Sequence, residues 1–567
     1  MNQSSGSETN YDLTSVDVPV LKGVPLKLVA ALLESPLRGL VTTVLSRKFG
    51  LPKFRNMRLE EAPVLLPIHH AVHPAEAGVR MEEASWPGKA PGPGPGPGFR
   101  FPSVHDYADA YCEGRTTPEE VAERFLDAQQ SDEVLRVFVA VNGEEVRRQA
   151  RESAQRIREG RALSILDGVP VAVKDEVAML PYGTTAGTGF LGRTPETEDA
   201  TIIARLRQAG ALLLGKAAMH EIGLGVTGLN VLQGTPRNPY APGHYCGGSS
   251  SGSAAAVAAG FCPLATGADG GGSIRIPAAF CGVVGLKPTF GRLSEHGAVP
   301  LCWSLGHLGP LAATATDAAL GYAVMAGPDA RDANSRHQPA PSLDGWTNLD
   351  LRGLKIGVYA PWFHHAEAEI VAVCEALLRK FTDSGAVVRE ITLPDLEAAR
   401  LAHAVTIASE MAHCVGSIHG ARRQRFNLDV RVNLAVARTF GSSDYICAQQ
   451  VRARLMGHFA RAFESVDVIV TPATGIVAPA ISKAAAEIGE SDLSTATEIM
   501  RFVTLANLTG HPAISFPAGY TKTGLPIGMQ VIGRPWDEAT LLRLALAAEQ
   551  WVERRRPAIF HNLLPLP

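Results

Sequence analysis

The stretch GGSSSGSAAAVAAGFCPLATGADGGGSIRIPAAFCGVVGLK, Gly247 to Lys287, decides how this chain is read. Nowhere else are Gly, Ser and Ala so dense, and the only charges within it are Asp269, Arg275 and Lys287. Small residues let backbones approach closely and leave backbone N–H groups free to point at a ligand. Ser253 to Gly260 reads as a short buried helix between two serine clusters. The second cluster, Gly270-Gly271-Gly272-Ser273, puts three glycines before a hydroxyl. That is a nest of N–H donors beside a nucleophile, the geometry acyl transfer needs. A flexible linker would lack the Ile, Val, Phe and Leu runs that alternate with these glycines. A phosphate loop would need Gly-Lys-Ser/Thr, or a strand-bound GxGxxG opening a helix, and the stretch has neither.

A serine nucleophile needs a base. No His lies in the stretch and there is no G-x-S-x-G elbow. The other known partner is a desolvated lysine. Upstream, Asp167-Gly-Val-Pro-Val-Ala-Val-Lys174-Asp175-Glu176 reads as a short apolar strand ending in a lysine. On that segment alone the plainer reading of Lys174 is a strand-end lysine paired with Asp175 or Glu176.

Taken together, the Lys174 segment, GGSSSGS and GADGGGSIRIP resemble the amidase signature family. Lys174 precedes Ser249 by 75 residues and Ser249 precedes Ser273 by 24, spacings that match the family. Gly215-Lys-Ala-Ala-Met-His-Glu221, Thr235-Pro-Arg-Asn-Pro239, Gly285-Leu-Lys-Pro-Thr289 and Pro512-Ala-Ile-Ser-Phe-Pro517 continue the likeness over roughly residues 100 to 560. The resemblance implies that Lys174 is the base, Ser249 the bridging serine and Ser273 the nucleophile. A free lysine titrates near about 10.4, so such a base needs a desolvating site. Ser249 is expected to relay the Ser273 proton to Lys174 and, in reverse, to protonate the leaving amine. The backbone N–H groups of Gly270, Gly271, Gly272 and Ser273 are expected to hold the oxyanion. Asp269 and Arg275 are expected to brace this loop, and the resemblance sets Gly223 near bound substrate. No cofactor is implied. His69, His70 and His73 lack a carboxylate or cysteine at metal spacing, and His364-His365 reads the same way, so no metal is expected.

Fifty-three basic side chains stand against 56 acidic ones, and nothing in that balance points to an electrostatic nucleic-acid footprint. The eight cysteines are scattered without CxxC pairs and read as reduced residues of an intracellular protein. Glu8, Asp12 and Asp17 make the first twenty residues polar, unlike a signal peptide. Leu26–Leu33 and Leu37–Leu45 are apolar runs, each shorter than the roughly 20 residues a bilayer span needs. With Lys27, Arg38, Arg47 and Lys48 on their flanks they fit a helical hairpin lying in a membrane interface, or equally two helices packed on the core or across a dimer. Pro91 to Gly98 alternates Pro and Gly. The chain is therefore divided into an N-terminal helical extension with its connector, 1–98, and a catalytic domain, 99–567.

Strands are expected at Val169–Lys174, Ala211–Leu214, Val283–Leu286, Leu354–Tyr359, Val387–Thr392, Val466–Thr471, Ala513–Pro517 and Met529–Ile532, with helices between them. Thr117-Pro118-Glu119-Glu120 reads as a capping box. This alternation gives an α/β class. The resemblance implies the same, as one large mixed twisted sheet surrounded by helices. Within the family the likeness is greatest to the plant-type fatty acid amide hydrolases, through Leu21 to Arg55, Trp362-Phe363, Asp444-Tyr445, Val466 to Pro472, Arg501 to Pro512 and Gly533-Arg-Pro-Trp536. That implies a lipid amide substrate such as an N-acylethanolamine, peripheral membrane contact through the N-terminal helices, and a homodimer. The other readings are a general amidase on small amides and an amidotransferase-type amidase that takes glutamine.

Overall fold

Eleven strands form one mixed sheet in the computed structural model, which describes residues 11–69, 81, 86–87, 96–416 and 422–565. In chain order they are β1 Phe138–Ala140, β2 Pro170–Lys174, β3 Leu212–Ala217, β4 Leu264–Ala268, β5 Val284–Lys287, β6 Leu308–Ala312, β7 Lys355–Val358, β8 Val387–Glu390, β9 Val468–Pro472, β10 Ala513–Tyr520 and β11 Pro526–Gly533. Across the sheet the order is β8-β7-β9-β11-β10-β5-β6-β4-β2-β3-β1. β2 runs parallel to β3 and β4, and β7 to β8 and β9. The remaining pairs are antiparallel. Every residue of β2, β3, β4, β5, β6, β9 and β11 is buried, because helices cover both faces. The edge strand β8, Val-Val-Arg-Glu, is exposed throughout and ends in charges that discourage pairing with another chain.

All eight expected strands form, with ends moved by up to three residues. β1, β4 and β6 have no counterpart among the expected strands. β4 is Leu-Ala-Thr-Gly-Ala, with one β-branched residue. It is a strand because β2 and β6 flank it, not because of propensity. The Thr117 box is half made. Thr117 Oγ1 accepts from Glu120 N at 3.2 Å, but the Glu120 carboxylate turns to Thr116 Oγ1 at 2.7 Å instead of the Thr117 amide. His70, His73 and residues 91–95 of the Pro-Gly alternation lie outside the described residues.

Six helices position the site: α1 Val24–Leu33, α2 Arg38–Lys48, α3 Ser251–Ala258, α4 Arg275–Cys281, α5 Leu396–Cys414 and α6 Leu428–Ala437. α3 is Ser-Gly-Ser-Ala-Ala-Ala-Val-Ala and wholly buried. Alanine favours the helix, and its small side chains let α3 sit tightly on the sheet. Gly252 sets the approach: a Cβ there would lie 2.4 Å from Ala218 N and 2.5 Å from Val137 O.

The N-terminal segment is packed on the rest of the chain. α1 buries Leu26, Ala30 and Leu33 beside Val432 of α6. Each leucine contributes about 2 kcal/mol by that burial. Glu34 and Arg431 form a bidentate pair at 2.9 and 2.8 Å. Leu13, Leu51 and Phe54 join the same core as Leu396, Leu401 and Val405 of α5. Yet Val24 and Leu28 of α1 are 61% and 66% exposed, and Leu37 and Val44 are 58% and 56% exposed. The helices therefore combine core packing with an uncovered apolar face. No helix among the described residues is long and apolar enough to cross a membrane.

Candidate active site

β2 and β4 run parallel, so their carboxyl ends share one edge of the sheet, where loops of α/β proteins gather ligands. Lys174 closes β2. The loop from Asp269 to Ile274 leaves β4 and enters α4. Ser249 precedes α3, after a cis Gly248–Ser249 peptide. The neighbouring serines are structural: Ser250 Oγ bonds the Ala268 carbonyl at 3.2 Å and Ser253 Oγ the Thr266 carbonyl at 2.8 Å, tying α3 to β4.

Lys174 is completely buried. Its Nζ donates to Ser249 Oγ at 2.8 Å and to the Ala268 carbonyl at 3.2 Å. Glu176 Oε2 lies 2.7 Å from the same nitrogen, outside hydrogen-bond alignment. Lys174 therefore makes both the contact with Ser249 and the ion pair with Glu176. Asp175 turns away, 3.6 Å from Lys216 Nζ. Ser273 is 6% exposed, and it lines the same cavity as Ser249, without a hydrogen bond between the two hydroxyls.

The glycine loop is held by a buried ionic knot. Asp269 accepts from the Gly272 amide at 2.6 Å, the Ile274 amide at 3.1 Å, Arg275 Nε at 3.0 Å and Asn507 Nδ2 at 2.9 Å. Burial pushes its carboxyl up, but Arg275, Lys287 and Asn507 outweigh that and hold it well below the usual carboxylate range. Arg275 places its remaining donors on Asp269 Oδ1, Asn507 Oδ1, Gln530 Oε1 and the Val503 carbonyl, so no guanidinium N–H is left unpaired. Asp269 and Arg275 thus sit under the loop. The expected set of four oxyanion amides is reduced, because the Gly272 N–H is engaged by Asp269. The amides of Gly270, Gly271 and Ser273 have no acceptor among the described residues.

His403 of α5 is a partner the sequence did not signal. Its Nε2 is 2.8 Å from the Gly270 carbonyl, and burial lowers its pKa to about 4. A neutral ring there donates to the carbonyl and fixes the outer side of the loop. Asn507 and Gln530 were missed for the same reason. Asn507 meets Asp269 and Gln530 meets Arg275, each across more than two hundred residues, and nothing local marks such a pairing.

Two cavities meet over this loop. One of about 250 Å³ is lined by Leu45, Phe49 and Leu51 of the N-terminal segment and by Leu401 and Val436, and it reaches Gly271 and Ser273. The other, about 240 Å³, is lined by Glu176, Ser249, Gly270, Ser273 and Glu295. Gly223, Ser273 and Ile407 belong to both. A side chain at Gly223 would meet Ser249 Oγ at 3.5 Å and Leu301 at 3.3 Å.

The family model described as Amidase matches residues 120–542. A fatty acid amide hydrolase of Oryza sativa subsp. indica is 40% identical over 98% of this chain and 97% of its own length. A glutamyl-tRNA(Gln) amidotransferase chain of Moorella thermoacetica is 34% identical over 81% of this chain and 98% of its own. Among solved structures, the native peptide amidase from Stenotrophomonas maltophilia superposes with a TM-score of 0.69 at 27% identity, covering 81% of this chain and 98% of its own. A match over that length, with relatives alike in sequence and in fold, leaves one line of descent: the chain belongs to the amidase family.

Proposed function

We propose that this chain hydrolyses fatty acid amides, N-acylethanolamines among them, to a free fatty acid and an amine through an acyl-enzyme on Ser273. The observation that carries this reading is the apolar cavity that runs from Leu45, Phe49 and Leu51 to Ser273. Burying a methylene is worth about 0.8 kcal/mol, so an acyl chain in such a cavity dominates substrate choice. An amidotransferase component is the second reading. Its relative covers 81% of this chain where the fatty-amide relative covers 98%, and the cavity uses N-terminal residues.

In this reading Ser273 Oγ attacks the amide carbonyl while its proton passes through Ser249 to Lys174. Lys174 Nζ would take that proton at its contact with Ser249, while the Ala268 carbonyl and Glu176 hold it from its other sides. The Gly270, Gly271 and Ser273 amides hold the oxyanion; losing one such donor costs about 100- to 1000-fold in turnover. The proton returns through Ser249 to the nitrogen as the C–N bond breaks, and water then cleaves the acyl ester. Peripheral lipid contact through the exposed face of α1 and α2, and a homodimer, belong to the same proposal. Hydrolysis by the purified chain across an acyl-amide series from short to long tests it: kcat/KM rises with chain length. A flat series, or activity confined to glutamine with added partner chains, overturns it. Light scattering reads the dimer.

A further inference from the structure

An amide with its carbonyl at Ser273 and its acyl chain in the apolar cavity sends its nitrogen substituent into the second cavity. That wall is built of acceptors. Glu295 lines it, and among the described residues its carboxylate has no hydrogen-bond or ion-pair partner. Its Oε1 lies against the Gly306 backbone, where a Cβ would meet it at 2.5 Å. Burial first, then Asp332, Glu176 and Glu410, push the Glu295 carboxyl up to about 8, and a positive charge brought beside it would favour its ionised form.

His307 lines the same cavity and is 4% exposed. Its Nδ1 bonds the Leu305 carbonyl at 2.7 Å, so that nitrogen carries the proton. Nε2 is left a bare acceptor, buried and without a partner among the described residues. Burial, with Lys287 nearby, holds the ring well below its ordinary pKa and so neutral.

The basic side chains on and behind this wall are engaged elsewhere. Arg331 donates to Thr201 Oγ1 at 2.8 Å and to Glu198 at 3.2 Å. His296 Nε2 faces Glu198 at 3.9 Å. Lys174 is balanced by Glu176 at 2.7 Å.

We infer that this cavity binds the amine half of the substrate and favours amines with a second, protonated amino group, so that fatty acyl conjugates of small diamines are a substrate class of this enzyme. The inference rests on the fatty-amide reading above. An ammonium brings several donors and a positive charge, which Glu295 and His307 Nε2 complement; a hydroxyl brings one donor and no charge. The reaction is the same hydrolysis. The amide C–N bond breaks, the relay protonates that nitrogen, and the distal ammonium is unchanged throughout.

The test is a matched series on one acyl chain: the N-(2-aminoethyl), N-(2-hydroxyethyl) and N-propyl amides, with kcat/KM measured for the wild type and Glu295→Gln. The aminoethyl amide is expected to exceed the propyl amide by about tenfold or more in the wild type, as a charge-assisted hydrogen bond allows. Glu295→Gln should bring the two near parity by slowing the aminoethyl amide more than the propyl amide. A wild type indifferent to the amine, or a variant that slows all three alike, overturns the inference while the fatty-amide reading stands. Loss of all three activities in the wild type overturns both. Product inhibition of the wild type needs no variant: 1,2-diaminoethane should inhibit hydrolysis of the propyl amide more strongly than propylamine does, and equal inhibition counts against the site.

Discussion

Lys174 Nζ and Ser249 Oγ are 2.8 Å apart, the lysine is completely buried, and its other contacts are a carbonyl and a carboxylate. This arrangement suits proton exchange, because the nitrogen faces the serine while the carbonyl and the carboxylate hold it from other sides. It also makes the lysine a structural partner of Glu176.

Lys174→Ala should therefore do two separable things. Amide hydrolysis at pH 7 should fall by about 10⁴-fold or more and partly recover at higher pH. Stability should fall as well, by about 3 kcal/mol, because the Glu176 carboxylate is left buried without its cation. Adding Glu176→Gln should restore the thermal midpoint and not the rate. A double variant no more stable than Lys174→Ala would show that the 2.7 Å pair contributes nothing to folding.

Ser273→Ala should abolish hydrolysis and labelling by a fluorophosphonate with the thermal midpoint unchanged, since its hydroxyl makes no hydrogen bond among the described residues. Ser249→Ala should slow amides more than matched esters, because an amine leaves poorly unless protonated and an alkoxide less so. Equal losses on the two substrates would remove Ser249 from the return of the proton.

His403 supplies a pH dependence with a definite sign. Its pKa is about 4 in the folded protein against an ordinary 6.5, so the unfolded chain binds the extra proton first. Its contribution is fully present above about pH 6.5 and is lost as pH falls through 4, amounting to about 3 kcal/mol at the acid end. Thermal midpoints measured from pH 7 to 4 should fall more steeply for the wild type than for His403→Gln. Parallel curves would mean the ring is not held neutral against Gly270.

Much of this was legible in the sequence, and the boundary is physical. Gly270 to Ser273 read as a nest of N–H donors, and the Lys174 segment and GGSSSGS beside them give that reading its weight. β2 and β3 are apolar runs of strand length. β4 escaped because Leu-Ala-Thr-Gly-Ala has no strand propensity of its own and is made a strand by β2 and β6. Asp269 and Arg275 were expected to brace the loop, and their contact with each other is local. Asn507, Gln530 and His403 complete the same knot from distant segments, and a long-range hydrogen bond leaves no periodicity to read. Glu176 was visible as a neighbour in sequence, but its distance to Nζ is a property of how β2 ends.

The N-terminal segment bears the last prediction. Removing residues 1 to 50 outright would strip Leu13 from the core and the Glu34–Arg431 pair from α6, so a truncated chain confounds folding with membrane contact. The exposed face offers a cleaner separation. Leu28 and Val44 are 66% and 56% exposed and close to basic residues Lys27, Arg47 and Lys48. Charged substitutions there should change stability by no more than about 0.5 kcal/mol. If the face meets lipid, Leu28→Asp with Val44→Asp should weaken sedimentation with anionic vesicles and slow hydrolysis of a long-chain N-acylethanolamine presented in them, because interfacial binding scales with buried apolar area. Hydrolysis of a short soluble amide should not change, since Lys174, Ser249 and Ser273 are untouched. Vesicle binding unaltered by the double substitution would rule out lipid as the face's partner. A shift from dimer to monomer in the same variant would assign that face to a second copy of the chain.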